Sequence, residues 1–152
     1  MMNTLKTSIF ALFAIFSISV AQAGDYLTSL DEAKEKAAET GKPILIKFTG
    51  SDWCPPCKAL NKAVFSKKSF KKAAEKEFVV VVLDFPRKKK LPEGELEANR
   101  AVAKEYKIKG YPTVMILTAE GEVVKSQSGY NGLEADAYMA DLKKSLDAKS
   151  FQ

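Results

Sequence analysis

Along this chain, apolar residues recur at helical spacing in some stretches and crowd into short runs in others. Ser29 followed by Glu32 is a capping-box signature, and Asp31 adds negative charge to the same first turn. Leu30, Ala33, Ala37 and Ala38 then form a modest apolar stripe, Gly41 stops it and Pro43 lies just beyond, which predicts a helix over 30–39. Ile44-Leu45-Ile46-Lys47-Phe48 reads as a buried central strand interrupted by one lysine. A turn over 49–52 follows. The next helix is expected to begin in Cys54-Pro55-Pro56-Cys57 and run through Leu60 to about Ala63, because prolines are tolerated in a first turn. Phe70, Ala73 and Ala74 predict a short helix near 67–76. Residues 78–84, Phe-Val-Val-Val-Val-Leu-Asp, are the strongest strand signal in the chain.

A polar, lysine-rich loop over 86–94 leads to a helix over 96–106, with Ala98, Val102 and Ala103 toward the core. Gly110-Tyr111-Pro112 breaks the chain before a strand over 113–117. Ala119-Glu120-Gly121 makes a hairpin turn into a strand over 122–126. A loop over 129–132 precedes a closing amphipathic helix over 133–148, carried by Leu133, Ala137, Tyr138, Leu142 and Leu146. Strands separated by helices are expected to pair in parallel, and the last two to pair antiparallel. The expected architecture is an α/β fold with one central mixed sheet and helices on both faces.

The first residues are set apart from that domain. Lys6 precedes an apolar run over 9–20, and Ala21-Gln22-Ala23 places small residues where a signal peptidase reads them. The run is shorter than the roughly 20 residues of a spanning helix. The expectation is a signal peptide over 1–23 and one domain over 24–152, exported to the periplasm or secreted, with no stable membrane insertion after cleavage. An uncleaved N-terminal anchor is the alternative. Position 24 is glycine, so a lipid-modified cysteine is not available there.

Composition adds little beyond an ordinary globular domain: 46% hydrophobic and 28% charged residues exclude a largely disordered chain. The net charge of +5 is spread among acids along helices, and its densest run, Arg87 to Lys90, falls in a loop and reads as solvated. Nucleic acid is not an expected partner; a weak contact with an acidic partner or a membrane surface stays open.

Cysteine and histidine usage changes the picture most. There are two cysteines and no histidine. That removes Ser-His and Cys-His catalysis and histidine-containing zinc sites, and two cysteines are too few for an all-cysteine one. No metal and no separate cofactor are expected. A structural disulfide is the plain reading in an exported protein. Yet closing so short a loop stabilises little, because the entropic gain grows with loop length. A redox pair explains the spacing better. Cys54 at a helix start would have its thiolate favoured by free N–H groups. Cys57, three residues on, shares its helix face and can bridge to it. Cys54 is then the nucleophile that forms a mixed disulfide with substrate, and Cys57 the resolving thiol. Pro55 and Pro56 tune the couple by donating no N–H, and without a histidine between the cysteines the Cys54 thiolate is less stabilised. The couple is expected to be reducing.

Trp53-Cys54-Pro55-Pro56-Cys57-Lys58 after a hydrophobic strand resembles the active-site segment of the thioredoxin superfamily. Gly110-Tyr111-Pro112-Thr113, some 55 residues downstream, resembles its cis-proline loop. The similarity covers about 24–148 and extends to the hairpin and the last helix. Gly50-Ser51-Asp52-Trp53 looks most like exported bacterial proteins of the reductase or disulfide-isomerase-like type. The resemblance implies a thioredoxin-like fold in which Pro112 is cis and faces the cysteines. It also implies that the Tyr111 backbone pairs with an extended substrate and that Trp53 shields the sulfurs. Core packing of Trp53 and a trans loop proline are the plain alternatives.

The chain departs from the family where thioredoxins carry a buried carboxylate, thought to take the proton of the second cysteine. The matching position is Lys47, with one extra residue in the following loop. Lys47 is expected to pack its stem and carry its ammonium to the surface; as a base it would need its pKa strongly lowered by burial. Asp52 and Asp84 are the other candidates for proton transfer. The expected function is thiol–disulfide exchange with exported proteins, in the reducing direction and fed by an electron-donor protein. An isomerase or oxidase, and a non-catalytic peptide-binding module of the same fold, are the alternatives.

Overall fold

The computed structural model describes residues 26–147. The expected signal peptide and the last residue of the closing helix lie outside them. Five helices and four strands follow in the order α1 (Leu30–Thr40), β1 (Ile44–Thr49), α2 (Pro55–Leu60), α3 (Lys68–Glu77), β2 (Val79–Asp84), α4 (Glu95–Glu105), β3 (Thr113–Leu117), β4 (Val123–Ser128) and α5 (Ala135–Asp147). Ser29 caps α1 by accepting the Glu32 N–H at 3.4 Å, and Gly41 ends it at φ 69°, a conformation only glycine adopts freely.

The sheet order is β2-β1-β3-β4. β1 and β2 are parallel, with Lys47 beside Val82 and Thr49 beside Asp84. β3 runs antiparallel to β1 and to β4. The expectation that every pair of helix-separated strands is parallel therefore fails at β3. The chain from β2 crosses through α4 and enters the sheet on the far side of β1 from the opposite end. A short extended segment completes the other edge: Leu27 donates to the Val80 carbonyl and accepts from the Val82 N–H. It covers part of an edge that would otherwise present unpaired backbone groups.

Alternation along the strands sorts the core into two layers. Ile44, Ile46 and Phe48 of β1 pack with Val79, Val81 and Leu83 against α1 and partly buried residues of α4. Leu45, Val80, Val114 and Ile116 face the other way, onto Phe65, Phe70, Tyr138 and Leu142. Helices thus cover both faces. Lys47 is in phase with Leu45, so its side chain is directed into the second layer, as is that of Asp84 in phase with Val80 and Val82. Among the described residues, no helix is long and apolar enough to cross a membrane.

The helix expected to end near Ala63 instead changes character. After Leu60 the backbone widens into a π-helical turn over Asn61–Phe65, closed by the Ser66 N–H bonding the Asn61 carbonyl at 2.8 Å. Such turns recur at functional sites. Here the turn brings both Val64 and Phe65 into the core while Asn61 stays on the outer side.

Candidate active site

The junction between β1 and α2 is built around the two cysteines. Pro55 and Pro56 open α2, where neither lacks an intrahelical bond it would otherwise make, and Cys54 is its N-cap residue. Cys54 and Cys57 form a disulfide with their Cα atoms 5.2 Å apart. Both are buried, at 3% and 1% exposure, while Pro55 and Pro56 are exposed above them. The two sulfurs meet different surroundings. Cys57 Sγ accepts the Gly50 N–H at 3.5 Å. Cys54 Sγ lies 3.6 Å from the carbonyl oxygen of Tyr111. The Tyr111–Pro112 peptide is cis, and Pro112 is buried beside the start of β3.

Trp53 forms one wall. Its indole N–H donates to the Phe85 carbonyl at 2.8 Å, and its ring lies edge-on to Tyr111 at 5.9 Å. Tyr111 in turn packs on Phe85, at 5.0 Å between ring centres. The indole crosses directly over Gly50, where a Cβ would fall 2.5 Å from the ring. The site thus depends on a glycine here, as close approach requires. The Arg87 guanidinium sits 3.9 Å from the centre of the indole, within cation–π range.

The three candidate proton-transfer residues are placed very differently. Asp52 accepts the backbone N–H groups of Arg87, Lys88 and Lys89 at 3.0, 2.7 and 2.9 Å. Those bonds lower its pKa to about 2. Asp84 accepts from the Ser51 N–H at 2.9 Å and the Ser51 hydroxyl at 2.6 Å, and its backbone carbonyl accepts the buried Asn99 amide at 3.0 Å. Lys47 contradicts the expectation of a surface-reaching ammonium: the residue is 3% exposed. Its register directs it inward, where Nζ donates to Asn61 Oδ1 at 3.2 Å and lies 4.1 Å from the centre of the Phe65 ring. Burial lowers its pKa from 10.5 to about 8, against a smaller opposing pull from Asp84. Lys47, Asp84, Asn61 and Cys57 all line one open cavity of about 690 Å³ behind the disulfide.

Asn61, Phe85 and Asn99 carry no motif in the sequence, and each matters through the backbone group or ring it meets across the fold. Gly50 stood in the Gly50-Ser51-Asp52-Trp53 stretch, but its role beneath the indole was not legible there. Among the described residues, no cluster of three or more histidine, cysteine, aspartate or glutamate side chains is placed to hold a metal ion.

A dithiol pair at a strand-to-helix junction, walled by an aromatic and facing an X-Pro turn, is the working end of a thiol–disulfide oxidoreductase. The chain belongs to the thioredoxin-like family, whose match runs over residues 25–119. It is 32% identical over 127 residues to the disulfide bond reductase DsbH of Chlamydia pneumoniae, spanning 84% of this chain and 76% of that protein. The solved structure of a DsbH oxidoreductase superposes with a TM-score of 0.73 at 31% identity, covering 82% of this chain and 88% of that one. The C-terminal domain of Neisseria meningitidis DsbD in its oxidised form shares the fold, with a TM-score of 0.58 at 21% identity over 76% of this chain and 91% of that domain.

Proposed function

We propose that this chain is an exported disulfide reductase acting on proteins through Cys54-Pro55-Pro56-Cys57. The reduced Cys54 thiolate attacks a substrate disulfide, forming a mixed disulfide and expelling one substrate thiolate. Cys57, deprotonated, then attacks Cys54 Sγ, closes the Cys54–Cys57 disulfide and expels the second substrate thiolate. Two electrons pass to the substrate, and a dithiol electron-donor protein must restore them. Tyr111 and Pro112 would present backbone groups to the substrate segment, with Trp53 as its apolar wall.

One observation carries the direction. The polar neighbour of the Cys54 sulfur is a carbonyl oxygen, which welcomes a protonated thiol and repels a thiolate. Pro55 and Pro56 supply no N–H in compensation. A poorly stabilised thiolate disfavours the dithiol form, so the couple is reducing. The relation to a disulfide bond reductase supports the same reading.

Lys47 is the residue suited to take the Cys57 proton. It shares the cavity with that sulfur, and its pKa of about 8 lies close to a neutral operating pH, where a general base is most effective. Asp52 is too acidic and too fully occupied for the task, and Asp84 is engaged by Ser51.

Equilibration with a glutathione buffer tests the direction. A potential near that of the strongest exported oxidants, about −120 mV, would refute it. A Cys57→Ser variant should accumulate mixed disulfides with its substrates, whereas a Cys54→Ser variant should trap none. N-terminal sequencing of exported material should begin near Gly24.

A further inference from the structure

We infer that this site selects disulfides flanked by acidic residues, through a basic lip held against the active-site turn; this rests on the oxidoreductase reading above. Arg87, Lys88, Lys89 and Lys90 are all exposed. Such a run in a free loop would simply be solvated. This one is not free. The Asp52 carboxylate holds the N–H groups of three successive residues, Arg87 to Lys89, and Asp52 stands two positions before Cys54. Arg87 is also laid on the Trp53 ring, at 3.9 Å. The strand end is fixed as well, because the Phe85 carbonyl accepts the indole N–H and the Phe85 N–H bonds Thr49.

The clamp engages the Asp52 carboxylate, which stays ionised, with backbone N–H groups, and leaves the four cationic side chains exposed and in excess over that one negative charge. Among the described residues, none of Arg87, Lys88 and Lys90 forms a salt bridge. Lys89 reaches Asp84 only at 3.8 Å and is 61% exposed. Lys58, directly after Cys57, is a further exposed cation and lines the same cavity as Lys89. A substrate approaching the disulfide therefore meets fixed positive charge beside the indole wall. Charge of one sign around a reaction site raises encounter rates for the opposite sign by roughly 10- to 1,000-fold, an effect removed by salt.

The test uses three disulfide-linked peptides, identical except for aspartate, serine or lysine on both sides of the cysteine, reduced by the full mature protein. At low ionic strength the aspartate peptide should react roughly tenfold or more faster than the serine peptide, and the lysine peptide slower. Near 1 M salt, where the screening length is about 3 Å, the three rates should converge. Lys88→Gln/Lys90→Gln should lower the aspartate-to-serine ratio, and Lys88→Glu/Lys90→Glu should lower it further. Reading the ratio cancels any general loss of activity. Equal rates for all three peptides at low salt, or a ratio indifferent to both variants, would overturn the inference. Charge-blind rates together with binding to phosphatidylglycerol vesicles would assign the lip to a membrane surface instead. Failure of the wild type to reduce even the serine peptide would refute the oxidoreductase reading itself.

Discussion

Lys47→Met should make the protein more stable and less active at once, and the two effects come from one structural fact. Lys47 is buried at 3% exposure, with one hydrogen bond to Asn61 and one aromatic face for its charge. Desolvation holds its pKa at about 8, against 10.5 for an exposed lysine. That gap corresponds to about 3 kcal/mol of penalty for folding with the charge on. Methionine has similar length and no charge, so it removes the penalty while losing a hydrogen bond of about 1 kcal/mol. The expected gain at pH 7 is about 1–3 kcal/mol. It must also depend on pH with a fixed sign. The folded pKa lies below the unfolded one, so the unfolded chain binds more protons between pH 8 and 10.5, and the wild type gains stability as pH rises through that window. The advantage of the variant should shrink by about 2 kcal/mol by pH 9.5 and be gone above 10.5. Urea denaturation of both oxidised proteins at pH 7 and 9.5 measures it. A variant less stable than wild type at pH 7, or a difference that does not move with pH, would refute the reasoning. In single-turnover assays the same variant should resolve its mixed disulfide about 100-fold more slowly.

Three further outcomes follow from the surrounding contacts. Gly50→Ala would drive a Cβ into the indole ring, so it should displace Trp53, cost about 1–3 kcal/mol and shift the fluorescence of this single tryptophan; an unchanged spectrum would show that the ring stays in place and the backbone gives instead. Asn99→Ala leaves the Asp84 carbonyl without its buried donor and should cost about 1–3 kcal/mol in urea denaturation. Asp52→Ala should raise hydrogen-exchange rates at the Arg87, Lys88 and Lys89 amides specifically. In the wild type that protection should persist until pH falls toward 2, where the carboxylate takes up its proton.

What could be read in advance follows a physical division. The elements were legible because caps, breakers and apolar runs are local: Ser29 and Gly41 bound α1, and the valines of β2 admit little but a buried strand. The pairing of Cys54 with Cys57 was legible because a spacing of three at a helix start lets the two sulfurs meet. The antiparallel entry of β3 was not, since strand polarity depends on how a connection crosses the sheet. Nor was the π-helical turn at Asn61, which no propensity marks. Lys47 shows the limit most clearly. Its position was evident, but its fate turned on Phe65 and Asn61, which a sequence does not place beside it. The run Arg87 to Lys90 read as solvent-facing, and it is exposed; what could not be read is that Asp52 fastens its backbone to the active-site turn.

The asymmetry between the two sulfurs bears on the choice between reduction and isomerisation. Isomerisation needs a mixed disulfide that lasts long enough for another substrate thiol to attack it. In the proposed mechanism the resolving sulfur, Cys57, is the favoured site for negative charge. Cys57 accepts the Gly50 N–H and opens on the cavity that holds Lys47, whereas Cys54 faces the Tyr111 carbonyl. A resolving thiolate that forms readily attacks early and ends the intermediate. The wild type should therefore reduce scrambled ribonuclease without restoring native pairings at a useful rate. Lys47→Met, by prolonging the mixed disulfide, should raise the ratio of isomerisation to reduction. If the wild type already isomerises efficiently and Lys47→Met leaves that ratio unchanged, resolution is not governed by the cavity, and the role assigned to Lys47 is wrong.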